Sequence, residues 1–461
     1  MNGTSTINPV DGTILGRFPF DSEAALEEKL ELAHEAFLQW REESVERRCE
    51  RLKKLGSVFR KNLEPMAQMV SREMGKPIRQ SRAEVEKCAS LCDWVSINAP
   101  AFLADEEIDF KTARVQVCYR PLGPVFTVMP WNFPFWQVMR AAASLLAGGN
   151  PVVLKHASQV LGCAHMLTEA FREAGFEPGL FTHVHVDHKL SEKIISDRRI
   201  VGVTVTGSTG AGRKISALAG ASLKKSVLEL GGSDAFIVLK DCDIDFVAGE
   251  AVTARFQNTG QVCIAAKRFI IEEAIFDSFR EAFVEKVKRL SIGDPLLETS
   301  DLGPMARHDL RDELRLQVEK SIALGAKLIF GGTKNERQDL KPGSFFMPTV
   351  LSEVSPKMVS FNEEMFGPVA SLVRAKDHDH AMELANQSAF GLCGSIWCGP
   401  NSMETALELT KRFEVGGAFI NKIPFTDPAF PVGGVKESGF GRELSGLGLR
   451  EFMNVQTVWR G

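Results

Sequence analysis

VFTVMP (125–130), PFWQVMRAAASLLAGG (134–149), NPVVLKH (150–156) and QVLGCAHMLTEAFREAG (159–175) follow one another closely, short β-branched runs alternating with helical ones. FTHVHV (181–186), IVGVTVTG (200–207) and KSVLELGG (225–232) continue the series with helical stretches between them. Strands separated by helices in this rhythm predict βαβ units, hence a parallel sheet with right-handed crossovers. In such sheets ligands bind outside the carboxyl ends of the strands. WNFP (131–134), LKHAS (154–158) and VTGSTGAG (205–212) therefore fall where a cofactor is expected.

The pattern renews after Gly232 with DAFIVLK (234–240), a helix reaching Phe256, RFIIEE (268–273) and the amphipathic FDSFREAFVEKVKRL (276–290). A second α/β domain is expected there, and with no low-complexity linker between them the two should pack closely. Toward the N-terminus the texture is helical: Leu26, Leu30, Ala33 and Phe37 recur at helical spacing, with Asp21 or Ser22 placed to cap the start. Leu52, Leu55, Phe59 and Leu63 mark a second run.

At about 150 residues per domain, a chain of 461 residues allows two to four domains and an ample core. Hydrophobic residues at 44%, charged residues at 25% and a net charge of -4 match an ordinary globular protein with no electrostatic reason to bind nucleic acid or a membrane. Nine cysteines, an odd number without CxxC pairs, argue for reduced thiols rather than a disulfide framework. The start lacks the pattern of a secretory signal and no stretch approaches the ~18 apolar residues of a membrane span. A cytoplasmic location is expected.

Three short stretches can carry chemistry. QNTGQVC (257–263) sets Cys263 after a small polar turn at the mouth of an α/β cleft, where a thiolate could act as nucleophile. ELGG (229–232) ends a strand with a carboxylate free of side-chain crowding, suited to a general base if burial raises its pKa. MPWNFP (129–134) ends another strand with the amide of Asn132, a donor for a developing oxyanion. Taken singly, a buried small thiol, a solvated turn glutamate and a strand-ending asparagine are the commoner readings.

Together with EEMFGP (363–368) and GGVKESGFGRE (433–443), these motifs occur in the order and approximate spacing of the aldehyde dehydrogenase superfamily, which the chain resembles from about Asn8 to its C-terminus. KKSVLELGGSDAFIVLKDCD (224–243), QNTGQVCIAAKRFI (257–270) and GVKESGFGRELSGLGLREFMNVQTVW (434–459) look most like its bacterial succinate-semialdehyde dehydrogenase type. The resemblance implies an α/β fold with a Rossmann-like cofactor domain (1–104 and 119–229), a second α/β catalytic domain (230–430), bridging segments forming a small β oligomerisation arm (105–118 and 445–461), and a cleft-lining loop (431–444).

It also implies roles. Cys263 is the nucleophile, Glu229 the base for the deacylating water, and Asn132 with the Cys263 N–H the oxyanion hole. Ser208, beside Gly207, meets the cofactor pyrophosphate; Lys155 and Ser158 meet the adenosine ribose; Glu364 and Phe366 hold the nicotinamide ribose and ring, with Trp131 beside the cofactor. Ser158 is neutral where many NAD-preferring members carry Glu, and Lys155 adds positive charge, so NADP is expected to be accepted, alongside or instead of NAD. Arg140, eight residues after Asn132, matches a carboxylate-binding arginine, and Gln257 stands where relatives often carry a second one. Succinate semialdehyde is the expected substrate, with another short aldehyde, a coenzyme A-acylating reaction, or a non-catalytic protein of the same fold as alternatives. A homodimer or homotetramer is implied.

Histidines carry less. His183, His185 and His188 resemble a metal cluster but lack completing ligands, and they read as strand and loop residues; no metal is expected. His378 and His380 read as a solvated loop. Glu443 matches a position proposed to pass protons, and also suits the start of a helix.

Overall fold

The computed structural model describes residues 3–111, 113–332, 340 and 342–460. The expected arm segments include Thr112 and Gly461, and the expected second domain includes residues 333–339 and 341; these lie outside the described residues.

Two α/β sheets organise the chain. The first has six strands in the order Gly439–Phe440, Lys225–Glu229, Gly202–Thr206, Val125–Met129, Val152–His156, Phe181–His183. All are parallel except the first, which pairs antiparallel through Gly439↔Glu229 and Phe440↔Leu228. Buried Val, Leu and Phe fill both faces of the inner strands, as a doubly covered parallel sheet requires. The second sheet has seven strands in the order Lys327–Phe330, Thr349–Ser352, Val369–Ala375, Ala266–Glu272, Asp234–Val238, Cys393–Trp397, Gly417–Ile420. Only its first strand is antiparallel to its neighbour.

The N-terminal helices form as the spacing predicts: Glu23–Trp40 buries Leu26, Leu30, Ala33 and Phe37, and its cap is Ser22, whose hydroxyl accepts from the Ala25 N–H. The second run divides, because Leu63 begins a new helix, Leu63–Met74, after Val45–Lys61 ends at Asn62. Helix Trp136–Gly148, the crossover after Asn132, is buried along its whole length.

A third sheet joins Met453–Arg460, Ala113–Pro121 and Glu106–Phe110, all antiparallel. Its middle strand runs beyond residue 118, since the register Met453↔Pro121 to Arg460↔Arg114 carries the pairing to Pro121. On the other side Ser445–Arg450 is helical, so the arm strand starts at Met453. The stretch 431–444, expected as loop, holds two short strands, Val435–Lys436 on Phe390–Gly391 and Gly439–Phe440 on the first sheet. No helix among the described residues is long and apolar enough to cross a membrane.

Candidate active site

The segment from Pro130 to Trp136 that carries Asn132 is held at several points. Strand Val125–Met129 delivers the chain to Pro130. At the following helix start, Glu84 Oε1 accepts from the N–H groups of Phe135 and Trp136 at 2.9 and 3.0 Å, filling orphan donors of the first turn. Lys76, ion-paired with the same carboxylate, stands 3.6 Å from the centroid of the Phe133 ring. The His156 ring accepts from the Ala157 N–H at Nδ1 and so donates from Nε2 to the Pro134 carbonyl, 2.9 Å away. Burial pushes that imidazole down to about 4, keeping it neutral.

The Asn132 side chain meets the turn that leads to Cys263 directly: its Nδ2 donates to the Gln261 carbonyl at 3.1 Å, and Asn258 Nδ2 donates to the Asn132 carbonyl at 2.9 Å. That turn is tightly wound, with Asn258, Thr259 and Gly260 at φ of 51°, 55° and 73°. A Cβ at Gly260 would lie 2.3 Å from the Gly367 carbonyl oxygen, so only glycine fits. Left-handed conformations of non-glycine residues cost on the order of 1–3 kcal/mol each, and surrounding contacts hold them. Thr259 donates to the Gly303 carbonyl at 3.1 Å, and the Gln261 side chain accepts from the Ala306 N–H at 2.9 Å. Arg255 donates to the carbonyls of Gly260 and Ala266, and Lys267 to those of Val262 and Cys263.

Seven of the nine cysteines are buried, while Cys263 and Cys242 are partly exposed. Burial pushes the Cys263 thiol up to about 11; Arg140 and Lys267 pull it down, and the carboxylates of Glu229 and Glu364 push it up. Glu229 ends strand Lys225–Glu229 with only 3% of its surface exposed. Its carboxyl lies well above the ordinary range because of burial, with Arg140 opposing and Glu443 adding to the shift. No well-directed hydrogen bond reaches its Oε1.

These groups face one cleft of about 440 Å³, which brings together Trp131, Asn132, Gly207, Ser208, Glu229, Cys263, Glu364 and Phe366. Trp131 and Phe366 meet edge to face with ring centroids 5.7 Å apart. Helix Thr209–Ala221 opens into the cleft behind its Ser208 cap, and a Cβ at Gly207 or Gly210 would meet nothing within 4 Å. That open approach to a helix N-terminus suits a phosphate group. Gly212 differs: a Cβ there would strike Leu230 at 2.5 Å, so it serves helix packing. Gly231 leaves room for Glu364, whose Oε2 would lie 2.4 Å from a Cβ. Gln137, Leu310 and Gln317 also line the cleft, unmarked by any motif.

Four expected residues lie elsewhere. Lys155 is half-buried at the end of strand Val152–His156, its ammonium pushed down by burial, and Ser158 is exposed three residues on. Gln257 is exposed at the start of the turn that leads to Cys263. Arg140 is neither a surface residue nor a wall of the cleft: it is 2% exposed, with Nε 2.6 Å from Glu443 Oε2 and Nη2 3.7 Å from Glu229 Oε2. Two buried carboxylates already occupy the guanidinium expected to meet a substrate carboxylate.

The chain matches the aldehyde dehydrogenase family over residues 2–458. It is also 50% identical over 455 residues, 99% of this chain and 97% of the relative, to the succinate semialdehyde dehydrogenase [NAD(P)+] Sad of Escherichia coli (strain K12). The chain belongs to the aldehyde dehydrogenase family. A probable succinate-semialdehyde dehydrogenase [NADP(+)] of Synechocystis is 41% identical to this aldehyde dehydrogenase, with 99% of each chain covered. Among solved structures, one of the succinic semialdehyde dehydrogenase of Streptococcus pyogenes in complex with NADP+ superposes with a TM-score of 0.95 at 34% identity, covering 98% of this chain and 99% of that one. Another, Gox0499, described for its cofactor and substrate selection, gives 0.97 at 36% identity with 100% of both chains covered.

Of the histidines grouped in the sequence, His183 ends its strand with a buried Nε2 that no hydrogen-bond partner among the described residues reaches. His185 lies past the strand, which ends at His183, and bridges the Pro19 carbonyl and the Thr4 hydroxyl at 2.7 and 3.0 Å. His188 opens a helix capped by Asp187. His378 and His380 lie in the first turn of helix His378–Asn386 rather than a loop, because the Asp377 side chain accepts from the His380 N–H and caps it.

Proposed function

We propose that this aldehyde dehydrogenase oxidises succinate semialdehyde to succinate, with NADP or NAD as the bound oxidant. The observation that carries the reading is the convergence of Cys263, Asn132 and Glu229 on one cleft whose far wall is the open glycine turn at Gly207. The names of the relatives supply the substrate and cofactor class. Gly207 and Ser208 would hold the pyrophosphate, Lys155 and Ser158 the adenosine ribose, and Glu364, Phe366 and Trp131 the nicotinamide half. The cofactor, when bound, supplies the hydride acceptor.

The chain's own residues perform the rest. The Cys263 thiol gives its proton up to solvent and adds as the thiolate to the aldehyde carbon, and the resulting oxyanion faces Asn132 Nδ2 and the Cys263 N–H, where one such donor is worth about 10²–10³ in rate. After oxidation the acyl group is a thioester on Cys263. Glu229, its basicity raised by burial, takes a proton from the water that attacks this thioester, and the carboxylic acid leaves as the thiolate is regenerated. Arg140 is assigned to balancing Glu229 and Glu443 rather than to the substrate.

Ser158 presents no negative charge to a 2′-phosphate and Lys155 stands on the same segment, which favours acceptance of NADP. The three largest sheets support dividing the chain into a cofactor domain, a catalytic domain and an arm, with the arm taken to Pro121. Exposed Ile108, Phe110, Val455 and Trp459 on that arm support its use in a homo-oligomer, and the unpaired thiols suit the cytoplasm. The deciding experiment is kcat/KM for succinate semialdehyde, glutarate semialdehyde and uncharged aldehydes of equal length, with each cofactor. A preference for uncharged aldehydes would remove the substrate assignment, and kcat/KM with NADP a thousandfold below that with NAD would remove the cofactor argument.

A further inference from the structure

Lys267 stands in the strand that leaves the nucleophile turn and exposes none of its surface. A buried ammonium is costly unless its donors are matched, and here each of the three has an acceptor. One meets the Val262 carbonyl at 2.9 Å, another the Cys263 carbonyl, and the third faces Glu364 Oε1 at 3.3 Å. The Val262 carbonyl and the Cys263 N–H belong to the same planar peptide unit, so fixing the oxygen fixes the direction of that N–H. The Cys263 carbonyl fixes the next plane. Between them, these two contacts set how the Cys263 backbone faces the cleft.

The third partner has a different character. Glu364 lines the cleft, its side chain is 20% exposed, and its Oε1 also accepts from the Gly232 N–H at 3.1 Å. One carboxylate thus joins the turn after Glu229, the ammonium behind Cys263, and the cleft wall. The charged groups acting on the thiol are Arg140 and Lys267, which favour the thiolate, and Glu229 and Glu364, which oppose it. Buried Cys393 is near as well.

We infer that Lys267 is a positioning residue for Cys263: it orients the oxyanion-facing N–H through the Val262 carbonyl and ties the reactivity of the thiol to the state of Glu364 on the cleft wall. The inference rests on Cys263 being the nucleophile. When a cleft ligand takes up the Glu364 carboxylate, the Lys267 charge is left less neutralised and favours the thiolate more.

The test is the rate of Cys263 alkylation by iodoacetamide, mapped by peptide mass spectrometry across pH, in wild type, K267M, K267R, E364Q and the K267M/E364Q double variant. A fluorescence titration gives the Kd for NADP of each. K267M is expected to slow alkylation at neutral pH about tenfold, the equivalent of one pKa unit. K267R should restore part of the rate. E364Q should speed alkylation, by less in the K267M background, and saturating NADP should change the wild-type rate more than that of a K267M protein that still binds it. A wild-type pH profile in K267M, or an equal E364Q effect in both backgrounds, overturns the inference. If K267M fails to fold, an E364Q protein that alkylates no faster than wild type overturns it alone. Loss of the nucleophile reading itself shows differently, as aldehyde oxidation surviving in C263A.

Discussion

Two groups of buried charge flank helix Trp136–Gly148, and they are built to different standards. At its start, Glu84 gives one oxygen to two backbone N–H groups and the other to Lys76, with both side chains fully enclosed. One turn further on, Arg140 lies between Glu443 and Glu229, close to both carboxylates, yet its Nε and Nη2, Glu443 Oε2 and Glu229 Oε1 lack well-directed hydrogen bonds. A buried group that is fully satisfied is fixed in one protonation state and one place. A group left partly unsatisfied keeps a proton within reach of exchange, which is what a general base requires. The first cluster is scaffold for Asn132; the second is the one in which the proposed base, Glu229, sits.

The largest effect should come from the second cluster. Glu229→Gln is expected to lower steady-state turnover by about 10²–10⁴ while leaving a rapid burst of reduced cofactor, because acylation does not use the base. A variant without a burst would place Glu229 before the thioester. Asn132→Ala follows, with a loss of about 10²–10³ in kcat and little change in melting temperature. Arg140→Leu should reduce kcat about tenfold, the scale of one pKa unit at Glu229, with the pH-rate profile displaced. Should KM for succinate semialdehyde rise instead, with uncharged aldehydes unaffected, Arg140 would belong to the substrate.

Scaffold variants should touch stability more than turnover. Glu84→Ala leaves Lys76 buried and unpaired, and about 3–5 kcal/mol of stability is expected to go with it, read from denaturant melts. His156 gives the smallest effect. Its folded pKa of about 4 lies below the unfolded value of 6.5, so the unfolded chain binds the extra proton. Its contribution is present above pH 6.5 and is lost as pH falls toward 4. In His156→Gln that acid limb of the stability curve should flatten, and an unchanged limb would mean that other groups dominate it.

Much of this was legible in the sequence. The alternating runs from Val125 to Gly232 produced the first sheet with its strands where the pattern puts them, because parallel strands buried on both faces must be continuously apolar. Asn132, Ser208 and Glu229 were legible at or beside strand ends, whereas Glu364 and Phe366 were legible only through the family resemblance. What escaped was partner choice. The spacing of Arg140 from Asn132 places it on the helix, but its neighbour Glu443 arrives from the far end of the chain. Lys267 was missed because a lysine at the start of a strand reads as surface. The only hint is that Lys267 and Arg268 interrupt a run from Ile264 to Ile271 that is otherwise apolar, and Arg255 behind them is equally enclosed.

The two-residue strand Gly439–Phe440 bears on when this enzyme can become active during its own synthesis. Glu229 and Leu228 form the edge of the first sheet until that segment pairs with them. On a ribosome the strands from Val125 to Glu229 emerge long before residue 440, so the nascent sheet must wait with an open edge beside Glu229. Such an edge is a site for wrong pairing. Closure from the C-terminal segment makes completion of translation a condition for a finished site, and a chain stalled before Gly439 should be a target for chaperones rather than a partial catalyst.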